Sequence, residues 1–546
     1  MKQLRSPLPP PASCKTLLLV VVLAAVLFPG DSWAQRVDTV RVAVDDGVEL
    51  LTMVHRPPGP GPHPAVLLRN PYRTRGGAMG WLVERLVPHG YAVVEQDVRG
   101  TGGSAGDFVP FLFEVADGTA TLDWLGAEDW AGPVALWGIS YQGWAAYALA
   151  ETGHPAVSAL VAGSAWGDMD PLLYPGGAFN LMAHLTWFRG FASGGGMPSA
   201  AELDSLFRAL PLESVLGGAA PTMTAVPPFD WDAVSVPVLH FTGWHDYIYT
   251  HSLAGYEALR ARRGADGSQH LIVGPWAHND ELRGATRVGD TDFGPAAAAG
   301  PDSVAAWTLR FLDIHLGDQP VVDPLARVFV MGENAWRSFA DWPPPGAQLL
   351  TWYLTARGRL ADSSSRRRST TVFRYDPADP MPTLGGANSH FFPHLLGPLD
   401  QRPLDGRRDV ARFITSPLDR PLVMAGPLRA TLYLDADAPS TDVAVKLMAV
   451  TPDGAARLIE DGIRRLDELT PGVNQVTITL GQRALRLEPG TRLRLDVTGG
   501  NFPKYDRNPN TGEDPWVATE LRPVRIRLHH GGVTPARLEL TVVPED

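Results

Sequence analysis

The residues best placed to do covalent chemistry lie in Val134-Ala-Leu-Trp-Gly-Ile-Ser-Tyr-Gln-Gly-Trp144. Val134 to Trp137 is an apolar run of the length of a buried strand. Gly138-Ile139-Ser140-Tyr141-Gln142-Gly143 follows, and Trp144 to Ala150, rich in alanine, reads as helix. Strand, Gly-x-Ser-x-Gly, helix is a nucleophile elbow: the turn is so tight that both glycine positions must lack a Cβ, and the serine oxygen stands exposed above the sheet. A serine hydroxyl is a poor nucleophile until an imidazole takes its proton. The imidazole in turn needs a carboxylate to fix its tautomer and stabilise its charged form. His278 and Asp246 are the candidates, each just beyond a strand-like run (His270 to Val273 and Val236 to Thr242). The order Ser140, Asp246, His278 is the one an elbow hydrolase requires. Asp280 and Asp290 are rival carboxylates, and His245 reads as incidental. A structural turn serine and an ordinary loop histidine are the plain alternatives. Acyl transfer also develops a negative oxygen that needs hydrogen-bond donors. The backbone N–H of Tyr141 is one, by virtue of the elbow. A second is expected from the loop after the strand that ends at Arg69, a loop containing Tyr72.

The elements that must position these residues follow from the hydrophobic pattern. Val40 to His55 reads as two strands joined at Asp45-Asp46-Gly47, and Ala65 to Arg69 and Tyr91 to Gln96 as buried strands. Trp81 to Val87 and Glu114 to Trp124 read as helices, and Val157 to Ala162 as the strand after the elbow helix. Alternating strands and helices predict a parallel sheet covered on both faces, the α/β architecture an elbow demands. Asp97 to Ser104 is a glycine-rich turn whose spacing does not fit a dinucleotide site; Asp97 and Arg99 are expected to fix it. The expected division is a hydrolase core over 35–166 and 233–324, interrupted by a helical cap over 167–232 that lies over the serine. Within the cap, Phe179 to Phe188 and Ala200 to Leu210 read as helices. Leu253 to Arg263 and Ser303 to Leu316 are helices of the second half, and His270 to Val273 is read as the last strand of the sheet. Past Leu325 short runs of period two, such as Arg492-Leu-Arg-Leu-Asp-Val497, predict one β-sandwich over 325–546, of jelly-roll type. Trp166, Phe179, Trp187 and Trp244 are candidates for an aromatic-lined substrate pocket, and equally for core.

A chain of 546 residues with 45% hydrophobic and 19% charged content can bury large cores in several domains. A net charge of −12 argues against nucleic acid or an anionic membrane as partner. Neither a metal-binding cluster nor a phosphate loop is present in the sequence, so neither metal nor other cofactor is expected. Lys2, Arg5 and Lys15, the apolar run Leu17 to Phe28 and the small residues around Ala34 read as a signal peptide over 1–34, too short to span a membrane. Cleavage would remove Cys14, the single cysteine, and leave a secreted or periplasmic chain with no stable membrane anchor and no disulfide.

Several segments together resemble the Xaa-Pro dipeptidyl-peptidase family of serine hydrolases, which includes cocaine esterases and α-amino-acid ester hydrolases. They are Asn70-Pro71-Tyr72, Gln96 to Gly100, the elbow, Gly243-Trp244-x-Asp246, Gly274-Pro275-Trp276-x-His278, Arg327 to Gly332, Asp341-Trp342-Pro343 and Asn501 to Gly512. The resemblance covers essentially the whole chain beyond residue 34, in order. It implies an α/β-hydrolase core, a helical cap and a C-terminal jelly roll, with Ser140, Asp246 and His278 as triad. It also implies that the Tyr72 hydroxyl is the second oxyanion donor. In two places the chain departs from the family: the cap is shorter, and Tyr247-Ile248-Tyr249-Thr250 stands where amino-ester hydrolases carry acidic residues for a substrate ammonium. The expectation is therefore a serine hydrolase of small ester, or amide, substrates with apolar acyl groups. Xaa-Pro dipeptidyl-peptidase or acylase activity is the alternative within the family. A non-catalytic protein that binds through the jelly roll is the alternative outside it.

Overall fold

The computed structural model describes residues 36–72, 79–192, 196–216, 226–264, 266–317, 319–320 and 325–544. The signal-peptide reading of 1–34, with Cys14, lies outside them.

The first half is built on strands β1 (Arg36–Ala43), β2 (Glu49–Arg56), β3 (His63–Asn70), β4 (Ala92–Asp97), β5 (Ala131–Ile139), β6 (Val157–Gly163), β7 (Val238–Gly243) and β8 (Gln269–Gly274). After the small hairpin of β9 (Arg287–Val288) and β10 (Thr291–Asp292) come β11 (Ala326–Val330) and β12 (Ala335–Phe339). The ten-stranded sheet runs β1-β2-β4-β3-β5-β6-β7-β8-β11-β12, parallel from β4 through β11 and antiparallel at both edges. His270 to Val273 is therefore not the end of the sheet. β11 pairs with β8 and carries it two strands further, although both strands fall in the segment read as the start of the sandwich. Period two cannot say which sheet a strand joins; that is decided by its partner.

Helices cover both faces, so the central strands are apolar on both sides. Leu67, Val94, Leu136 and Leu160 face one layer with Tyr147 and Leu149 of the elbow helix. Their neighbours Val66, Val93, Trp137 and Val161 face the other, with Leu312 of the helix Pro301–His315. Each such side chain contributes about 1.5–3 kcal/mol by leaving water. The sheet is thus a rigid platform whose carboxyl edge can hold side chains in place. The cap contributes the helices Leu181–Trp187 and Ala200–Arg208, the second opened by a Ser199–Glu202 capping box.

Beyond β12, eleven strands from Gln348–Thr355 to Arg537–Val543 form a β-rich body of jelly-roll type around one apolar core that includes Leu432, Val445, Leu495 and Leu538. Among the described residues no helix is long and apolar enough to cross a membrane.

Candidate active site

Ser140, Asp246 and His278 all leave the carboxyl edge of the sheet, directly after β5, β7 and β8. Ser140 has φ 60° and ψ −128°, a conformation an L-residue rarely adopts, and its helix Tyr141–Glu151 starts immediately after it. The turn closes only because its flanks are glycine. A Cβ on Gly138 would sit 2.2 Å from the Gln142 carbonyl carbon, and one on Gly143 2.6 Å from the Ala165 Cβ.

His278 Nδ1 lies 2.7 Å from Asp246 Oδ2, with both side chains buried. The other carboxylate oxygen accepts from the Ile248 N–H at 2.8 Å, and the Ser164 hydroxyl also bonds to Asp246. Burial opposes the charged ring of His278, but the Asp246 charge and hydrogen bond outweigh it and raise its pKa above 6.5. For Asp246 burial alone would raise the pKa; the His278 charge and three hydrogen bonds outweigh that and lower it. The rival carboxylates are engaged elsewhere. Asp280 accepts from the Ala277 N–H at 3.2 Å, and Asp290 pairs with Arg457 at 2.6 Å. Glu281 is fully buried, and its pKa is pushed up to about 8 by burial and then by the charge of Asp246. It sits neutral and leaves Asp246 as the charged partner of the histidine.

Tyr141 opens the elbow helix, so its backbone N–H is among the donors that have no acceptor within the helix. Its phenol is pinned by Glu114 and by the Phe111 N–H at 3.0 Å. Tyr72 follows β3 and is 38% exposed. Its hydroxyl accepts from Trp187 Nε1 at 3.2 Å, which leaves its own proton free to donate. Burial of that hydroxyl pushes its pKa up to about 12, so it stays protonated. The turn after β4 is held as expected: Gly103 N–H donates to Asp97 at 2.9 Å, and Arg99 bonds to Asp117 at 2.6 Å and to Asp46.

Beside Ser140 lies a narrow cavity of about 20 Å³, lined by Phe111, Trp166, Met169, Leu172, Ala183 and Trp187 together with Tyr141, His184 and Tyr247. Of the four aromatic candidates, Trp166 and Trp187 line it and two do not. Phe179 packs with Tyr174 of the cap and with Trp516 of the C-terminal body. Trp244 is fully buried; its Nε1 donates to the Phe329 carbonyl at 2.8 Å and its ring packs on Tyr249 and Trp342. Both are core residues because their elements turn them away from the serine. His184 donates through Nδ1 to the Asn180 carbonyl, and burial lowers its pKa to about 4, so it adds no charge to the cavity.

Three neighbours of the site are given no role at the serine by the sequence reading. The Tyr247 hydroxyl is hydrogen-bonded to Ser140, and its ring lies 5.2 Å from that of His278. Phe111, at φ 70°, packs 4.8 Å from Tyr141. His390, from a loop of the C-terminal body, lies 4.9 Å from the ring of His278, and Asn388 of the same loop forms a β-bridge with Asp246. Tyr247 could have been found from its place beside Asp246. His390 carries no local signal, since only the packing of the second body brings it there. Among the described residues no group of three or more His, Cys, Asp or Glu side chains could hold a metal ion.

Residues 46–210 and 219–280 match the model of the X-Pro dipeptidyl-peptidase (S15) family, and residues 322–539 that of the X-Pro dipeptidyl-peptidase C-terminal non-catalytic domain. The chain belongs to the S15 family. It is a serine hydrolase. A cocaine esterase of Rhodococcus sp. (strain MB1 Bresler) is 32% identical over an alignment covering 92% of this chain and 98% of that protein. Among solved structures, an aminopeptidase from a marine sediment archaeon, Thaumarchaeota archaeon, superposes with a TM-score of 0.80 at 25% identity, covering 94% of this chain and 97% of that one. An α-amino-acid ester hydrolase superposes with a TM-score of 0.77 at 23% identity, covering 96% and 100%, and so shares the fold. The S15 match spans β2 to β8 with the elbow, and skips 211–218 in the cap.

Proposed function

We propose that this S15 hydrolase cleaves carboxylic esters of uncharged, apolar acyl groups through an acyl-enzyme intermediate. Ser140 Oγ attacks the acyl carbon while His278 takes its proton. Asp246, bonded to Nδ1, leaves Nε2 as the basic nitrogen and stabilises the imidazolium. The oxyanion is met by the Tyr141 N–H and the Tyr72 hydroxyl. Collapse expels the alcohol, which receives the proton from His278. Water, activated by the same imidazole, then releases the acid and frees Ser140.

The observation that carries the ester reading is the lining of the cavity beside Ser140. Its walls are mostly apolar, and among the described residues no carboxylate lines it to hold a substrate ammonium. A free N-terminus would be left as an uncompensated charge there, which costs several kcal/mol. Named for its ester substrate, the cocaine esterase relative supports the same reading. A cavity of about 20 Å³ admits roughly one water, so acyl binding needs the cap wall around Trp187 to move outward. A panel of aryl esters against Xaa-Pro anilides tests the proposal. Turnover of butyryl and benzoyl esters with Xaa-Pro anilides at least 100-fold slower is expected; the reverse order would overturn it. Export rests on the basic, apolar and small-residue segments of 1–34, and N-terminal sequencing of the mature protein should begin at Gln35.

Tyr72→Phe removes only the hydroxyl. The expected result is a fall of about 10²–10³ in kcat with little change in KM, because the donor acts on charge that exists only in the transition state. Steady-state kinetics on an aryl ester checks this; an unchanged kcat would remove Tyr72 from the oxyanion site.

A further inference from the structure

Tyr72 and Tyr141, the two residues read as carrying the oxyanion donors, both touch Trp187 of the cap. Trp187 is the last residue of the helix Leu181–Trp187. Its indole stacks on the Tyr141 ring, with centroids 6.0 Å and planes 18° apart, and lies 5.8 Å from Phe111. From there its Nε1–H reaches the Tyr72 hydroxyl at 3.2 Å. We propose that Trp187 is a positioning residue of the oxyanion site: its N–H aims the Tyr72 hydroxyl proton at the oxyanion, so the second donor is aligned only while this wall of the cap is in place. The proposal rests on the reading of Tyr72 as an oxyanion donor.

The two donors differ in what orients them. The Tyr141 N–H is aimed by the backbone of the elbow, whereas a phenol proton rotates to suit its surroundings. The Tyr72 N–H donates to Asn70 Oδ1 at 2.8 Å, which fixes the main chain and leaves the hydroxyl proton free to turn. An N–H donated to the hydroxyl oxygen occupies a lone pair and repels the phenol's own proton from that side, so the proton points away from Trp187. The same bond polarises the O–H and strengthens it as a donor. A donor held in this way needs no reorganisation when negative charge develops.

The indole can orient Tyr72 because it is itself held. It rests on the Tyr141 ring, whose phenol is fixed by Glu114 and by the Phe111 N–H at 3.0 Å. Beyond Trp187 the chain continues as a wider π-type turn, Phe188–Ala192, a feature frequent at functional sites. That turn brings Phe191 edge-on against the Tyr72 ring, at 5.8 Å and 77°. The cap thus grips Tyr72 by ring and by hydroxyl. Trp187 also lines the cavity beside Ser140, so the outward movement that admits an acyl group breaks its bond to Tyr72. Return of the wall over the seated substrate restores the bond, which couples oxyanion stabilisation to cap closure.

The test is a double-mutant cycle on the full-length protein, read in the steady-state hydrolysis of p-nitrophenyl butyrate. Trp187→Phe keeps an aromatic ring and removes the N–H. It should lower kcat roughly five- to tenfold, the size of one hydrogen bond, with a smaller change in KM. In a Tyr72→Phe background no hydroxyl is left to aim, and the same substitution should change kcat by less than about twofold. The isostere benzothienylalanine at position 187 preserves the shape and packing of the indole without its N–H, and should reproduce the kcat of Trp187→Phe. A wild-type kcat in the isostere, or an equal loss from Trp187→Phe in both backgrounds, would make Trp187 a cavity wall only and overturn the proposal. Should Tyr72→Phe alone leave kcat unchanged, the reading of Tyr72 falls and the proposal with it. If Tyr72→Phe slows turnover and the two losses simply add, the proposal falls and Tyr72 keeps its role.

Discussion

Ser140→Ala is expected to lower kcat on an aryl ester by on the order of 10⁶ and to abolish labelling by a fluorophosphonate probe, with the fold retained. The magnitude follows from what is lost. Without Oγ no acyl-enzyme can form, and His278 and Asp246 have no nucleophile to serve. The residual rate is that of water attacking a carbonyl held by the oxyanion donors. The fold should survive because the elbow is held by the glycines and by backbone bonds, Ser140 N–H to the Gly163 carbonyl and Trp144 N–H to the Ser140 carbonyl, both at 2.9 Å. Neither involves the hydroxyl. The side chain's own bond, to Tyr247, is lost, a cost of about 1–3 kcal/mol for a phenol left unpaired, well inside the stability of a domain of this size. A folded variant that keeps more than a hundredth of wild-type activity, or still takes up the probe at another residue, would place the nucleophile elsewhere.

Asp246→Asn is expected to cost about 10⁴ in kcat while changing the shape of the site hardly at all. The asparagine oxygen can still accept from the Ile248 N–H, but its amide then faces His278 Nδ1 as a donor. That hydrogen bond selects the tautomer with the proton on Nε2, the nitrogen that must be bare to deprotonate Ser140. The pH profile gives a second, independent reading. The base works only when neutral, so kcat/KM rises with pH through the His278 pKa. In the wild type that pKa is raised by Asp246 against the effect of burial, and the acid limb should lie above pH 6.5. With the carboxylate gone, burial is the largest remaining influence on His278, and the limb should move below pH 6.5. A profile that does not move would mean that Asp246 is not the partner His278 titrates against.

Local order carried much of this protein in plain view. The elbow was legible because a tight strand-to-helix turn demands glycine at fixed spacing, and Gly138 and Gly143 do meet backbone and Ala165 too closely for any Cβ. The central strands were legible because a parallel sheet covered on both faces needs uninterrupted apolar runs, as Val134 to Trp137 shows. Positions after strand ends singled out Ser140, Asp246 and His278 as candidates, since every parallel strand delivers its next residues to the same edge. Chain order alone was enough to place all three at that edge.

What required the tertiary structure is everything that depends on which surfaces meet. A period-two run says that one face is buried, not against what, so β11 and β12 joined the hydrolase sheet although their sequence resembles the strands that follow. An aromatic residue signals burial, not direction: Trp166 and Trp187 turn into the cavity, whereas Phe179 and Trp244 turn into the core. His390 reaches the ring of His278 from more than a hundred residues further along the chain. Covalent spacing determines the turn that exposes Ser140, whereas non-local packing, to which sequence distance is indifferent, decides what surrounds it.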